Sequence, residues 1–319
     1  MRNRAGMTPL IVQDIVRETP TIVSIVLADP EGRRLPPWDP GAHIDLQLIT
    51  RHERQYSLCG DPADEFRYRI AVLREEHSRG ASHYIHNFLK VGRKVFVRPP
   101  RNLFPLSDAK RHLLLAAGIG ITPLLSMARR LAAGDADWTL VYAVRTREDI
   151  AFAPELEALG DHVRIHVSAE SGRLDLAGLL AGLEPGTDVS ACGPRGFTDT
   201  LTNQAETLPE DCRLHLERFE PKPRSYLPNT AFTVECARSE RTVEVPAGQT
   251  MLQAMQAARV GVAGSCMRGV CGSCAVQVVD GTPEHRDSLT TDDASMIMYP
   301  CVSRSLTPTL VIDASSVVR

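Results

Sequence analysis

The chain has 319 residues, 43% of them hydrophobic and 24% charged, with a formal charge of −3. Its length gives room for two or three cores and its slight negative charge gives no general attraction for nucleic acid. No run approaches the roughly eighteen apolar residues of a membrane helix, and the Arg-containing N-terminus does not lead into a signal-peptide core, so a cytoplasmic protein is expected.

From Ile11 to about Pro100 the sequence is a series of short β-rich runs, at 21–27, 42–48, 67–73 and 94–97, divided by Pro, Gly and Asp turns. This predicts an antiparallel β-barrel or sandwich over residues 1–106. A short helix interrupts it, with Ser82 as the expected N-cap, Tyr84, Ile85, Phe88 and Leu89 on its apolar side, and Gly92 as a stop signal.

Over residues 107–221 the pattern alternates between strand and helix. Strands are expected at 112–117, 138–144, 162–167, 188–192 and 213–219, with helices at 122–133, around Glu155 and at 176–183. That predicts an α/β domain whose parallel sheet gathers ligands beyond the C-terminal strand ends, after Leu115 and Cys192 above all. Residues 222–230, rich in Pro and charge, read as a linker. Residues 231–319 read as a small α+β domain, with a hairpin at 232–245, a helix at 251–258 and later strands at 275–279 and 309–312.

The sharpest motif is Cys266-x4-Cys271-x2-Cys274, completed by the distant Cys301. Four soft thiolates at this plant-type spacing suit a [2Fe–2S] cluster, with Gly261, Gly264, Gly269 and Gly272 letting backbone N–H groups approach the sulfurs. A structural zinc site is the competing reading, although zinc favours shorter paired CxxC units. The other cysteines, Cys59, Cys192, Cys212 and Cys236, are scattered, which fits a reducing compartment. His285 and Asp287 are read as lying outside the ligand set.

Three other segments carry nucleotide-binding chemistry. In Arg54-Gln55-Tyr56-Ser57, the Tyr is suited to cover a flavin ring, the Ser to bond its reacting edge and the Arg to attract phosphate, although ordinary edge-strand packing explains the same residues. Arg79-Gly80-Ala81-Ser82 offers a phosphate nest ahead of a helix, or simply an N-cap. Gly118-Ile119-Gly120-Ile121-Thr122-Pro123 and Cys192-Gly193-Pro194 are strand-to-helix turns on one predicted sheet edge, suited to a pyrophosphate and a nicotinamide, or to structural turns alone. Arg145 and Arg147 are candidate nucleotide-phosphate binders.

Taken in order, these motifs resemble the phthalate dioxygenase reductase family, together with Pro100-Arg101-Asn102-Leu103-Phe104, His285-Arg286-Asp287 and Pro300-Cys301-Val302-Ser303-Arg304. The resemblance implies a flavin-binding barrel, a nicotinamide-binding α/β domain and a β-grasp ferredoxin domain. It implies FMN, NADH and a [2Fe–2S] cluster as cofactors, and a Rieske-type terminal oxygenase as partner. By that likeness Arg54, Gln55, Tyr56, Ser57, Val72, Leu73, Arg79, Gly80, Ala81, Ser82 and Thr122 serve the FMN pocket. Gly118, Gly120, Arg145, Cys192 and Gly193 serve the nicotinamide, Ser57, Cys192 and Phe219 stand at the reacting centre, and Cys266, Cys271, Cys274 and Cys301 hold the cluster. The loop residues Met267, Arg268 and Val270 are expected to form a cationic, apolar docking patch beside it.

Overall fold

The structure, a computed structural model, describes residues 6–48, 53–75, 80–222, 226–290 and 294–314. The chain forms two compact units, Met1–Arg218 and Phe219–Arg319. Among the described residues no helix is long and apolar enough to cross a membrane.

The first unit holds two sheets. Strands β1 (Thr8–Arg17), β2 (Ile22–Ala28), β3 (Ala42–Gln47), β4 (Glu53–Ser57), β5 (Arg67–Leu73), β6 (Lys94–Val97) and β7 (Arg101–Asn102) form an antiparallel sheet in the order β4-β3-β6-β1-β2-β5, with β7 beside β3. Alternation points Leu10, Val12, Ile25, Leu27, Ile44, Leu46, Tyr68 and Ile70 into one core. The edges β4 and β5 meet through the bridge Leu58↔Ile70 and the Cys59 N–H to Arg69 C=O bond of 2.9 Å. The expected barrel is therefore joined at a point and not closed by a continuous ladder. Helix α1 (Ala81–Phe88) starts two residues earlier than the sequence suggests. Gly80, at φ 102, is its N-cap, because a turn in the left-handed region favours glycine over serine, and Ser82 is buried in the first helical turn.

The second sheet is wholly parallel: β8 (Arg111–Ala117), β9 (Asp137–Val144), β10 (Val163–Val167), β11 (Thr187–Cys192) and β12 (Arg213–Glu217), in the order β10-β9-β8-β11-β12. Helices α2 (Ile121–Ala132), α3 (Ala153–Ala158), α4 (Ser168–Ser171), α5 (Leu176–Ala181) and α6 (Arg195–Gln204) alternate with the strands. The central strands β8 and β11 are buried along almost their whole length, so β8 reads as an apolar run and not as alternation, while β11 buries Thr187, Asp188 and Ser190 among its apolar residues. The chain builds outward from β8 to β10 and then returns to the other side of β8 with β11. That reversal makes the ends of β8 and β11 a topological switch point, the place where open parallel sheets bind ligands.

The second unit contains the hairpin β13 (Phe232–Cys236) and β14 (Arg241–Val245), helix α7 (Met251–Ala257), and strands β15 (Val276–Asp280), β16 (Pro283–Glu284), β17 (Ile297–Met298), β18 (Arg304–Ser305) and β19 (Thr309–Asp313). Its five-stranded mixed sheet runs β14-β13-β19-β15-β17. Helix α7 starts at a reciprocal capping box between Thr250 and Gln253 and buries Met251, Leu252 and Met255.

The stretch 222–230 is not a free tether where it is described. Lys222 N–H donates to Ser288 Oγ at 2.7 Å, and Tyr226 Oη donates to the Arg286 carbonyl at 2.9 Å. Arg286 in turn reaches Asn229 Oδ1 at 2.7 Å and the Leu227 carbonyl at 3.0 Å, while Arg304 reaches the Thr230 carbonyl at 2.8 Å. Proline and charge marked this stretch as a linker. The arginines that satisfy its backbone lie far away in sequence.

At the end of the first unit, the buried Arg218 binds Thr198 Oγ1 at 2.9 Å, Asp199 Oδ1 at 2.6 Å, the Thr198 carbonyl at 3.1 Å and Thr202 Oγ1 at 2.6 Å, fastening the end of β12 to α6. Arg218→Met should lower unfolding free energy by roughly 2 kcal/mol, since it strips a buried multi-bond donor from several acceptors. Urea denaturation showing a change below about 0.5 kcal/mol would contradict this role.

Candidate functional site

On the antiparallel sheet, β4 carries Arg54, Gln55, Tyr56 and Ser57 directly opposite Leu46, Asp45, Ile44 and His43 of β3. Gln55 donates to the buried Asp45 carboxylate, which also receives Arg101 at 2.7 Å, so the Gln55 side chain is engaged within the sheet. Tyr56 packs against the barrel core, and burial pushes its phenol well above the ordinary tyrosine range. Helix α1 approaches the same module through His86 Nε2, 2.9 Å from the Val72 carbonyl, with Val72 buried and Leu73 closing β5. Gly80, Ala81 and Ser82 form the start of that helix, with no side-chain cap at Gly80. Arg79 lies outside the described residues.

On the parallel sheet, the turn Gly118–Gly120 follows β8, and the Cys192-Gly193-Pro194 turn follows β11. A Cβ on Gly120 would lie 2.1 Å from the Cys192 carbonyl oxygen, and one on Gly193 would lie 2.8 Å from Ala117 Cβ and from the Phe197 ring. The two turns therefore touch backbone to backbone. Gly118, at φ +53, has open space where a Cβ would point, which fits close approach of a nucleotide. Thr122 is buried and donates to the Ile119 carbonyl at 3.0 Å, bracing the turn from within α2. Arg145 is exposed just past β9, whereas Arg147 is forked onto Glu170 at 2.7 and 2.8 Å.

The two sheets meet at a group that no motif announced. Glu217, the last residue of β12, is the register partner of Cys192 on β11. Ser57 Oγ donates to Glu217 Oε2 at 3.4 Å, and Cys192 Sγ lies 4.0 Å from the same oxygen. Burial pushes the Glu217 carboxyl up to about 8, offset in part by its bond from Ser57, and the Cys192 thiol is raised by burial and by Glu217. Two of the three residues expected at the reacting centre, Ser57 and Cys192, are thus brought together through this carboxyl. The only sequence signal for Glu217 was its place at a strand end on the ligand edge. Phe219 falls in the second unit, half-buried, with its carbonyl accepting from Arg268 at 3.3 Å.

In the second unit Cys266, Cys271, Cys274 and Cys301 are all buried. Cys266 is within hydrogen-bond reach of Cys271 and Cys301, and Cys301 of Cys274. Contact with Cys266, followed by burial, drives the Cys271 thiol far above its ordinary value. Buried thiols in mutual contact become thiolates only beside a cation, which is the chemistry of a metal-ligand set. Among the described residues no three His, Cys, Asp or Glu groups surround a single ion position, whereas two irons require two cysteine pairs. The loop is shaped for close approach: Met267, Gly269 and Gly272 all have positive φ, and a Cβ on Gly269 would lie 2.6 Å from Val302 Cγ2. Arg268 N–H donates to Cys266 Sγ at 3.3 Å, and Ser273 Oγ lies 3.1 Å from Cys271 Sγ. Asp287, fully buried, accepts from Leu289 N–H, Thr290 N–H and Ser303 Oγ, bracing the loop from behind. His285 bonds the Ser295 carbonyl through Nε2 at 3.0 Å. Of the three residues expected to form the docking patch, Met267 is exposed, Val270 is half-buried, and Arg268 is half-buried and turned toward Phe219.

A family model described as an oxidoreductase NAD-binding domain matches residues 114–202, and one described as a 2Fe-2S iron-sulfur cluster binding domain matches residues 234–305. A solved structure of phthalate dioxygenase reductase, described as a modular structure for electron transfer from pyridine nucleotides to [2Fe–2S], aligns over 97% of this chain and 98% of its own with 35% identity and a TM-score of 0.71. The chain belongs to the phthalate dioxygenase reductase family. It is an oxidoreductase with NAD-binding and [2Fe–2S] modules. Family relatives differ in the reactions their names record. A vanillate O-demethylase oxidoreductase from Pseudomonas sp. (strain HR199 / DSM 7063) is 39% identical over 95% of this chain and 96% of its own. The beta subunit of a heme-dependent oxidative N-demethylase from Ectopseudomonas mendocina (strain ymp) is 39% identical over 93% of this chain and 96% of its own.

The raised Glu217 carboxyl predicts a pH signature. Because its value rises from 4.5 unfolded to about 8 folded, the folded state holds the extra proton. Its contribution to stability is complete below 4.5 and is lost as pH rises through about 8. Glu217→Gln should flatten the fall in urea midpoint over that window; an identical pH profile for parent and variant would refute the assignment.

Proposed function

We propose that the chain is the reductase component of a cytoplasmic oxygenase system, carrying electrons from NADH through FMN and a [2Fe–2S] cluster to a Rieske-type terminal oxygenase. The observation that carries this reading is the meeting of Ser57, from the antiparallel sheet, with Cys192 and Glu217, from the nucleotide sheet, at one half-buried carboxyl. A flavin bound there supplies the exchange between a two-electron hydride donor and a one-electron acceptor.

The chain's own groups orient and insulate that chemistry. Arg54, Tyr56, Ser57, Gly80, Ala81, Ser82 and Thr122 hold the FMN, with Arg79 and the backbone at Gln55, Val72 and Leu73. Gly118, Gly120, Arg145, Cys192 and Gly193 hold the nicotinamide nucleotide against the sheet edge. Glu217 keeps a proton at neutral pH one hydrogen bond from Ser57 Oγ. Phe219 is assigned to the flavin side by family likeness. Cys266, Cys271, Cys274 and Cys301 ligate the two irons in pairs. Preference for NADH is supported by the pairing of Arg147 with Glu170, which occupies one of the two guanidiniums suited to a 2′-phosphate. The Rieske acceptor rests on the family likeness, and the relationship to a heme-dependent N-demethylase subunit makes a haem oxygenase the competing acceptor. Aromatic substrate choice belongs to that terminal enzyme.

Anaerobic purification without added cofactor should release FMN and equal amounts of iron and sulfide, and NADH should reduce the flavin with higher efficiency than NADPH. In Cys301→Ser the cluster spectrum should be largely lost while flavin reduction by NADH persists. Dominant FAD, preference for NADPH, or an intact cluster in the variant would each overturn the corresponding assignment. Transfer to purified oxygenases of both kinds decides the acceptor: faster reduction of a haem enzyme than of any Rieske enzyme would replace the partner proposed.

A further inference from the structure

The flavin-side and nicotinamide-side halves of the first unit are joined away from Glu217 by a second polar network. Arg129, on α2, donates from one guanidinium nitrogen to the carbonyls of both Cys59 and Gly60, each at 2.6 Å. These carbonyls follow directly on the Arg54–Ser57 strand. Its other terminal nitrogen binds Glu155 on α3. The second oxygen of Glu155 receives Arg69 of β5 at 2.5 Å, and Arg69 also reaches Glu18 at 2.7 Å. The Arg69 guanidinium lies 4.8 Å from the centre of the buried Phe152 ring, and Phe152 itself holds φ at 60 to start α3. Glu155 is thus the carboxylate shared by two guanidiniums, one on strand β5 of the antiparallel sheet and one on helix α2 beside the parallel sheet.

Helix α2 makes this arrangement consequential. Its first residue follows Gly120, whose Cα is pinned against the Cys192 carbonyl, and Arg129 lies nine residues further, roughly 13 Å along the axis. One stiff element is therefore fastened at its start to the nicotinamide turns and near its end to the flavin strand. Hydride transfer is steeply sensitive to donor–acceptor distance, and a displacement of about 1 Å can cost up to about a hundredfold in rate.

We infer that the Arg129–Glu155–Arg69 clasp sets the distance between the nicotinamide and the flavin, which makes Glu155 a positioning residue for hydride transfer; this rests on the function proposed above. Without the Glu155 charge, the two partly buried guanidiniums lose the carboxylate they share, and Arg69 keeps only Glu18 on its other side. Burial, and also Arg69, already hold Arg129 below the ordinary arginine value. The halves then separate at this edge while each keeps its own ligand contacts.

The test is stopped-flow flavin reduction by NADH and by NADH deuterated at the transferred position, in the full-length holoprotein, for the parent, Glu155→Gln and Arg129→Lys. Lysine has a single nitrogen, where arginine serves the two carbonyls from one nitrogen and Glu155 from another. At saturating NADH the reduction rate should fall about tenfold in Glu155→Gln, with NADH affinity changed less than about twofold and FMN content kept, and the isotope effect should become more temperature-dependent. Arg129→Lys should show the same change to a smaller degree. Parental rates and isotope effects in both variants, even with lowered thermal midpoints, would show that the network serves stability alone and overturn the inference. Loss of flavin or of folding in both variants would also count against it. If NADH fails to reduce the parent's flavin, the proposed function itself falls and the clasp inference with it.

Discussion

The first unit is organised around the place where Gly120 has no room for one more carbon. Its Cα sits so close to the Cys192 carbonyl that any side chain would have to displace main-chain atoms. Two parallel strands and the turns that follow them are fixed to one another at that contact. The start of α2, the position of Cys192 and its lateral neighbour Glu217 are then consequences of the strand order β8-β11-β12. Ser57, which arrives from another sheet, needs only to find that carboxyl.

What the sequence made legible follows from how local the information was. The cysteine loop was readable because three ligands and two of the four glycines lie within nine residues, Cys266 to Cys274, so spacing alone constrains the chemistry. The glycine turns were readable because each ends a strand and leads into a helix. Glu217 was not, since its partner Ser57 lies some 160 positions earlier, and a lone glutamate at a strand end looks like a solvent-facing residue. The helix start at Gly80 was mistaken for Ser82 because serine is the commoner N-cap, and only the backbone angle reveals that this turn needs a glycine.

The same distinction explains the polar groups buried in the antiparallel sheet and in the cluster module. Asp45 is sealed between Gln55 and Arg101, and Asp287 between two main-chain amides and Ser303. Each would be costly alone and is tolerated because its oxygens are shared among donors from separate segments. Such groups fix register: apolar contacts tolerate a slip of one residue better than a carboxylate whose donors stand at fixed positions. They sit behind the cofactor-bearing loops, where small displacements matter most.

The bound stretch between Phe219 and Thr230 bears on how such proteins are assembled over evolutionary time. Arg286 and Arg304 belong to the cluster module yet reach forward to Leu227, Asn229 and Thr230, ahead of its first strand. A recombination event that began the module at that strand would remove these acceptors and leave Arg286 with Glu284 and Arg304 with the Gln249 and Pro246 carbonyls. The heritable cassette is accordingly longer than its sheet, and a gene fusion that moves this electron carrier to another host enzyme has to carry the preceding strap along with it.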